Sequence, residues 1–280
     1  MVLAESPFSD RAEAYTVGVK LSLAQWLTML VATLLYAFSL TALLRRNLWR
    51  RIPVLFAYLI VVCLRDEIYI FGLYSWPIRR ASSFYWMGEG LIYVLSFLLV
   101  MSIWKEGLGR LRGLWVVTRW VLPGLLLVFL AFFRWNSQFT PGSSPRPGDW
   151  LSDWFRLLSQ NLSLTQALFL LGFFFVTTFF SVPLAPLVRQ VAACWFAYSL
   201  AKVALAATRY VVGYEFQPIF DYAGSAAFLG LLLSWAVLLW RAQPADLQAP
   251  QPVYILQGGS GRLAGQLEAV NQSLSRLLKV

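Results

Sequence analysis

Apolar residues run along the chain for about 20 positions at a time, enough to cross roughly 30 Å of hydrocarbon as a helix. Seven such runs stand out, at about 21–44, 53–74, 84–104, 114–133, 164–182, 187–212 and 216–240. Arg45-Arg46 closes the first, and Pro123-Gly124 inside the fourth predicts a kink. Only Pro183–Pro186 parts the fifth run from the sixth, so six or eight spans stay open beside seven. The pattern predicts an all-α polytopic transmembrane bundle over 21–240. No internal repeat is visible, which counts against an inverted-repeat transporter.

The remaining segments are polar or irregular. Residues 1–20 lack the basic start and early apolar core of a cleaved signal peptide and are expected outside the cytoplasm. In the longest connection, 136–163, a turn-rich stretch precedes Asp149. Beyond it Trp150, Trp154, Phe155 and Leu158 share one face, which fits either an interfacial helix or the start of a long fifth span. Asn161-Leu162-Ser163 matches a glycosylation sequon but sits too near the membrane to weigh much. Residues 241–261, rich in proline and glycine, form a linker. In 262–280, Leu263, Leu267, Val270, Leu274 and Leu277 follow heptad spacing, with Ser260 placed to cap the helix. So short a helix is marginal alone, and Gly265 weakens it by about 1 kcal/mol. Its seam needs covering by the same tail of a second copy, a partner's helix or the membrane surface. The opposite face (Gln266, Glu268, Gln272, Ser273, Ser275) has few cations, which favours a homo-oligomer or a cytoplasmic partner.

Composition sharpens the class. Apolar residues make up 59%, charged residues 13%, and mean hydropathy is +0.64, against about 45–50% and 25% in soluble domains. Soluble, disordered and disulfide-scaffold classes are thereby excluded. There is no histidine, and Cys63 and Cys194 both lie in apolar runs. That removes Ser-His-Asp hydrolysis, histidine-ligated haem and phosphoacceptor histidines, and no cofactor or metal is expected. The net charge of +10 sits mostly at run ends, so membrane topology explains it better than nucleic acid does. With seven spans, Arg45, Arg46, Arg50, Arg51, Lys105, Arg110 and Arg112 share one side with the tail. Arg79 and Arg80 lie among the sparser cations of the other. A cell-membrane protein with its N-terminus outside and its C-terminus in the cytoplasm is expected. Trp49, Trp76, Trp104 and Trp240 near the run ends fit interfacial anchoring.

Charges within the runs are the sharpest functional signal, because each is costly in lipid and usually pairs or faces a cavity. Arg65, Asp66 and Glu67 in run two, Glu89 in run three, Lys202 and Arg209 in run six and Asp221 in run seven fall in one outward layer. Helical spacing groups Tyr85, Trp86, Glu89 and Tyr93 on one face, and Trp195, Tyr198, Ser199, Lys202 and Arg209 on another. Gln217, Asp221, Gly224 and Ser225 form a third, and Gln25, Thr28, Tyr36 and Ser39 a sparser fourth. Arg65, Asp66 and Glu67 are consecutive, so at least one meets water or a different helix. A ligand-binding set of Arg65, Glu89, Lys202, Asp221, Arg209 and Tyr198 suits a small polar ligand, while interhelical pairing as mere glue weighs equally. Catalysis scores poorly. A Ser199/Lys202 pair could support hydrolysis, but i, i+3 neighbours arise by chance. A retinal lysine belongs in the last helix of rhodopsins, and here that helix has none.

The stretches FAYLIVVCLRDEI (56–68) and YWMGEGLIYVLSFLLVMSIWKEGL (85–108) resemble uncharacterised seven-helix bacterial integral membrane proteins. The resemblance implies an all-helical membrane fold and carries no activity or residue role. The leading expectation is a multi-pass receptor or signalling protein, with an outward polar pocket and a cytoplasmic interaction helix. A small-solute or proton-coupled transporter is the alternative, and a structural or assembly protein the second.

Overall fold

A computed structural model of the chain describes residues 23–75, 78–109, 112–137, 150–179, 182–212 and 216–243, with Asp246 and positions 265, 269, 272 and 273. Among them are seven α-helices and no strand: α1 (Leu23–Arg45), α2 (Pro53–Ser75), α3 (Ile78–Leu108), α4 (Arg112–Ser137), α5 (Trp150–Phe179), α6 (Pro186–Val212) and α7 (Gln217–Arg241). Five contain stretches long and apolar enough to cross a membrane: Trp26–Arg45, Phe84–Leu108, Asn161–Phe179, Pro186–Thr208 and Ile219–Arg241. The chain is thus an α-helical protein of membrane type. α2 matches these in length, but Arg65, Asp66 and Glu67 interrupt its apolar run. The described apolar stretch of α4 is the shorter Trp115–Val128.

Local chemistry accounts for several boundaries. Proline opens α2 and α6 and stands second in α7, positions where its missing N–H costs no helical hydrogen bond. Between α1 and α2 the chain turns through Asn47 at φ 53°, a left-handed conformation that asparagine tolerates, into a 3-10 turn at Leu48–Arg50. The Arg46 side chain donates to the carbonyl of Ala242 and ties this turn to the end of α7. α4 continues through Pro123. The segment from Trp150 does not form a separate interfacial helix; it is the start of a 30-residue α5. In the tail, positions 265, 269, 272 and 273 are helical and the Ser273 hydroxyl donates to the Ala269 carbonyl at 2.8 Å. The seam residues Leu263, Leu267, Val270, Leu274 and Leu277 lie outside the described residues.

Six helices close a ring in the order α1–α2–α3–α5–α6–α7, with α3 reaching across to α6. Among the described residues α4 stands outside it and touches only α3 and α5. Each ring helix is sorted by face. On α1, Tyr36, Ser39 and Leu43 are buried at steps of three and four, whereas Leu27, Leu30, Leu34 and Phe38 are exposed. Such an outer apolar surface has its natural solvent in lipid. The core of the bundle holds an aromatic cluster. Trp195 and Trp235 stack with centroids 5.4 Å apart, and Tyr58 meets both rings edge-on at 5.3 and 6.0 Å. Trp104, expected at an interface, instead turns inward against Phe173, over the bare backbone of Gly172.

Gly107 permits this contact between α3 and α5. A Cβ there would stand 2.6 Å from Cε2 of the fully buried Phe173 and 3.3 Å from Cδ2 of Leu184. Gly107→Ala is therefore expected to cost about 1–3 kcal/mol by overpacking, read as a lower unfolding midpoint in detergent. Ala at Gly124, where nothing lies within 4 Å of the added carbon, is the matched control.

Candidate ligand-binding site

The site is built around Arg65. Its aliphatic stem crosses Gly88 of α3, where an added Cβ would fall 2.7 Å from its Cγ. Beyond that crossing its guanidinium spreads between two carboxylates. Nη1 pairs with Glu89 of α3, while Nε and Nη2 reach Oδ1 of Asp66 at 2.9 and 2.7 Å. The ring of Tyr85 covers the cation at 5.1 Å. Asp66 then accepts the Tyr36 hydroxyl of α1 at 2.9 Å, and Glu67 accepts the Thr33 hydroxyl at 2.6 Å. The three consecutive charges of α2 thus divide, Arg65 toward α3 and the two acids toward α1. A fork of five N–H donors suits Arg65 to bridge two acids where lysine would not.

Two cavities flank this guanidinium. The first, about 120 Å³, lies among α2, α3, α5, α6 and α7, and its polar lining includes Arg65, Glu89, Gln166, Tyr198 and Lys202. Trp195 and Tyr58, the edge of the aromatic cluster, also line it. The Lys202 ammonium stands 5.8 Å from the Tyr198 ring centroid. The second cavity, about 190 Å³, opens between α1, α2 and α7 and is lined by Thr28, Thr33, Tyr36, Arg65, Asp66 and Ser225. Arg65 and Phe228 belong to both walls.

Of the residues singled out by sequence, Arg65, Glu89, Tyr198 and Lys202 meet in the first cavity. Asp221 does not join them. It is exposed and lines neither cavity, being two helical turns, or about 10 Å, nearer the start of α7 than Phe228. Arg209 lies in α6, but its side chain falls outside the described residues. The Ser199 hydroxyl is buried without a hydrogen-bond partner among the described residues, so the Ser–Lys engagement that hydrolysis requires is not made. Cys63 and Cys194 carry unbridged thiols.

Three site residues escaped sequence reasoning: Ser96, Ser163 and Gln166, all buried and all lining the first cavity. Gln166 Nε2 donates to Ser96 Oγ at 2.8 Å, and Ser96 donates in turn to the Tyr93 carbonyl at 2.8 Å. Ser96 extends the Glu89–Tyr93 face by one further step of three, the signal that would have found it. Polar bonds between helices in lipid couple by about 0.6 kcal/mol on average and at most about 1.7. A Gln166→Leu/Ser96→Ala double-mutant cycle is expected to return a coupling within that range; zero coupling in the unfolding midpoints would mean the contact is not formed in solution.

No protein-family model, curated protein or solved structure matches this chain.

Proposed function

We propose that the chain is a seven-span membrane protein of receptor or signalling type that binds a small polar ligand in the first cavity. In this reading its N-terminus lies outside, its C-terminus lies in the cytoplasm, and helix 262–280 passes occupancy to a second copy or a partner. One observation carries the proposal. Charged, aromatic and amide side chains converge on an open space inside a bundle whose outer surface is apolar. Ion pairs that served only as glue would be favoured by close packing without that space. The span count rests on α2 and α4 as well. α2 has 23 residues, about 35 Å, and its Arg65 and Asp66 are engaged within the bundle. α4 has 26 residues and a strongly apolar middle.

Deleting 260–280 tests the relay. Ligand binding by the purified protein is expected to survive, while ligand-dependent cross-linking of tails in membranes disappears. Binding lost with the tail, or cross-linking unchanged, rejects it. Single cysteines at positions 5 and 270, in a background lacking Cys63 and Cys194, test the orientation: only the first should react with an impermeant reagent on intact cells.

A carrier is the second reading, favoured by the second cavity across Arg65, since a path through the bundle needs space on both sides of its central charge. Solute flux in proteoliposomes that vanishes in Glu89→Gln would put the carrier first.

A further inference from the structure

We propose that the corner of the bundle where α1 and α7 finish together binds an acidic phospholipid. The two helices pack against each other and stop side by side. Phe38 stacks on Trp240 with centroids 4.5 Å apart, and the Arg46 side chain donates to the Ala242 carbonyl. The Arg45 guanidinium stands 5.8 Å from the centre of the Trp240 ring, and Arg241 ends α7. With the turn into α2, five exposed arginines gather at this corner: Arg45, Arg46, Arg50, Arg51 and Arg241. Two acids are described at the same end of the bundle. Glu106 lies in the last turn of α3, which among the described residues touches neither α1 nor α7. Asp246 accepts the Gln243 N–H at 2.7 Å. Neither acid forms an ion pair with a described residue. The tail supplies no excess of acid either, since 244–280 holds Asp246 and Glu268 against Arg262, Arg276 and Lys279.

Orientation in a membrane needs positive charge near a span end and asks for nothing beside it. Here the charge stands at the head of an apolar track. On α1, Leu34, Phe38, Thr41 and Arg45 form one exposed stripe at steps of four, three and four. On α7, Leu233, Val237 and Trp240 form another, and Arg241 lies four residues beyond Val237. The stripes meet at the Phe38–Trp240 stack, whose rings are 41% and 39% exposed. An acyl chain laid along them carries its phosphate to the guanidinium end, where a planar fork can hold two oxygens at once. Basic clusters at the cytoplasmic ends of spans recognise acidic headgroups, and in the orientation proposed above this corner meets the cytoplasmic leaflet. A soluble acidic partner would use the arginines and leave the stripes idle. The corner shares no residue with either cavity and stands whether or not those hold a ligand.

Dioleoyl phosphatidylglycerol and dioleoyl phosphatidylcholine share their chains and phosphate and differ by one net charge. Both are titrated into the purified full chain in neutral detergent at an ionic strength of about 0.15 M and read by native mass spectrometry. The glycerol lipid should bind at least tenfold tighter. Arg45→Gln/Arg241→Gln should weaken it at least tenfold, since each surface cation is worth a factor of about five. Trp240→Leu should weaken it at least threefold. Arg241→Gln alone, also at least threefold, serves if the double variant fails to fold. Lys105→Gln/Arg112→Gln removes the same charge from the same end, on α3 and α4, which among the described residues touch neither α1 nor α7. It should change the affinity less than threefold, because salt at this strength screens charges beyond roughly 8 Å. Equal binding of the two lipids, or binding of neither, overturns the proposal. A loss as large in Lys105→Gln/Arg112→Gln as in Arg45→Gln/Arg241→Gln overturns it too, by assigning the lipid to the charge of the whole end. Glycerol phosphate or polyglutamate displacing the lipid at equal concentrations of acid groups puts a soluble anion on the arginines and overturns the phospholipid.

Discussion

Arg65→Met, with Glu89 left in place, is expected to lower stability more than any other single change, by about 3–5 kcal/mol. The substitution strands two acids at once. Glu89 loses its cation inside the bundle, and Asp66 keeps only the Tyr36 hydroxyl. Much of the cost is that of leaving a buried charge without its partner, so it should be recoverable. The double variant Arg65→Met/Glu89→Met is expected to regain the part of the loss that belongs to Glu89, because an apolar pair of similar volume carries no desolvation penalty, while Asp66 still lacks its cation. Lys202→Met is expected to lower the unfolding midpoint less than Arg65→Met does, since the Arg65 guanidinium bridges two carboxylates at once. Thermal unfolding of the four proteins in one detergent gives the comparison. A double variant no better than Arg65→Met would mean that the pair contributes through packing of the arginine stem over Gly88 rather than through charge. A strongly destabilised Lys202→Met would assign the lysine to the scaffold instead of the ligand.

The second large effect belongs to the aromatic cluster. Trp235 is fully buried, stacked on Trp195 and edge-on to Tyr58. In water-soluble proteins Trp→Ala costs about 3–5 kcal/mol, part of it the loss of transfer out of water. In a bilayer that part is largely absent, since lipid tails are as apolar as the core, and lost packing and the residual void remain. Trp235→Ala is accordingly expected to cost about 2–4 kcal/mol and Trp235→Phe clearly less. A void lined by Tyr58 and Trp195 should stay dry, as apolar voids do. Benzene should therefore raise the midpoint of Trp235→Ala and leave the parent unmoved. A midpoint insensitive to Trp235→Ala would remove the cluster from the fold's stability.

Most of the helices were legible because lipid demands long apolar runs, and length alone marks them. α3 and α5 outgrow their runs for a reason length cannot give: Ile78–Ser83 and Trp150–Asn161 carry polar residues yet continue the same helices. Faces were legible too, since polar positions on Glu89–Tyr93 and Trp195–Lys202 repeat at helical spacing. A period gives a face but not the neighbour that the face meets. Hence the split of Arg65 from Asp66 and Glu67 was fixed only by packing, with Gly88 making room for the arginine stem. Asp221 was grouped with the others by sequence depth, and depth counted along a helix ignores where that helix starts relative to its partners. The outlying place of α4 is not given by its sequence, although its apolar residues gather on one side more than those of the other six helices: one-sidedness names a face and not the neighbours that face meets.

The charge network has a consequence for how the chain enters the membrane during synthesis. Among the described residues the ionic partners of Arg65 lie on α2 and α3, and the hydroxyls that complete the network come from α1. The whole circuit is therefore translated by residue 108, before any of α5, α6 and α7 exists. Arg65 can be paired with Asp66 and Glu89, and Asp66 and Glu67 hydrogen-bonded to α1, within the first three helices to emerge, which then form a settled wall for the later ones to dock against. Lys202 is made last of the cavity's charges, and it reaches a bilayer in which the acid it must face is already in position.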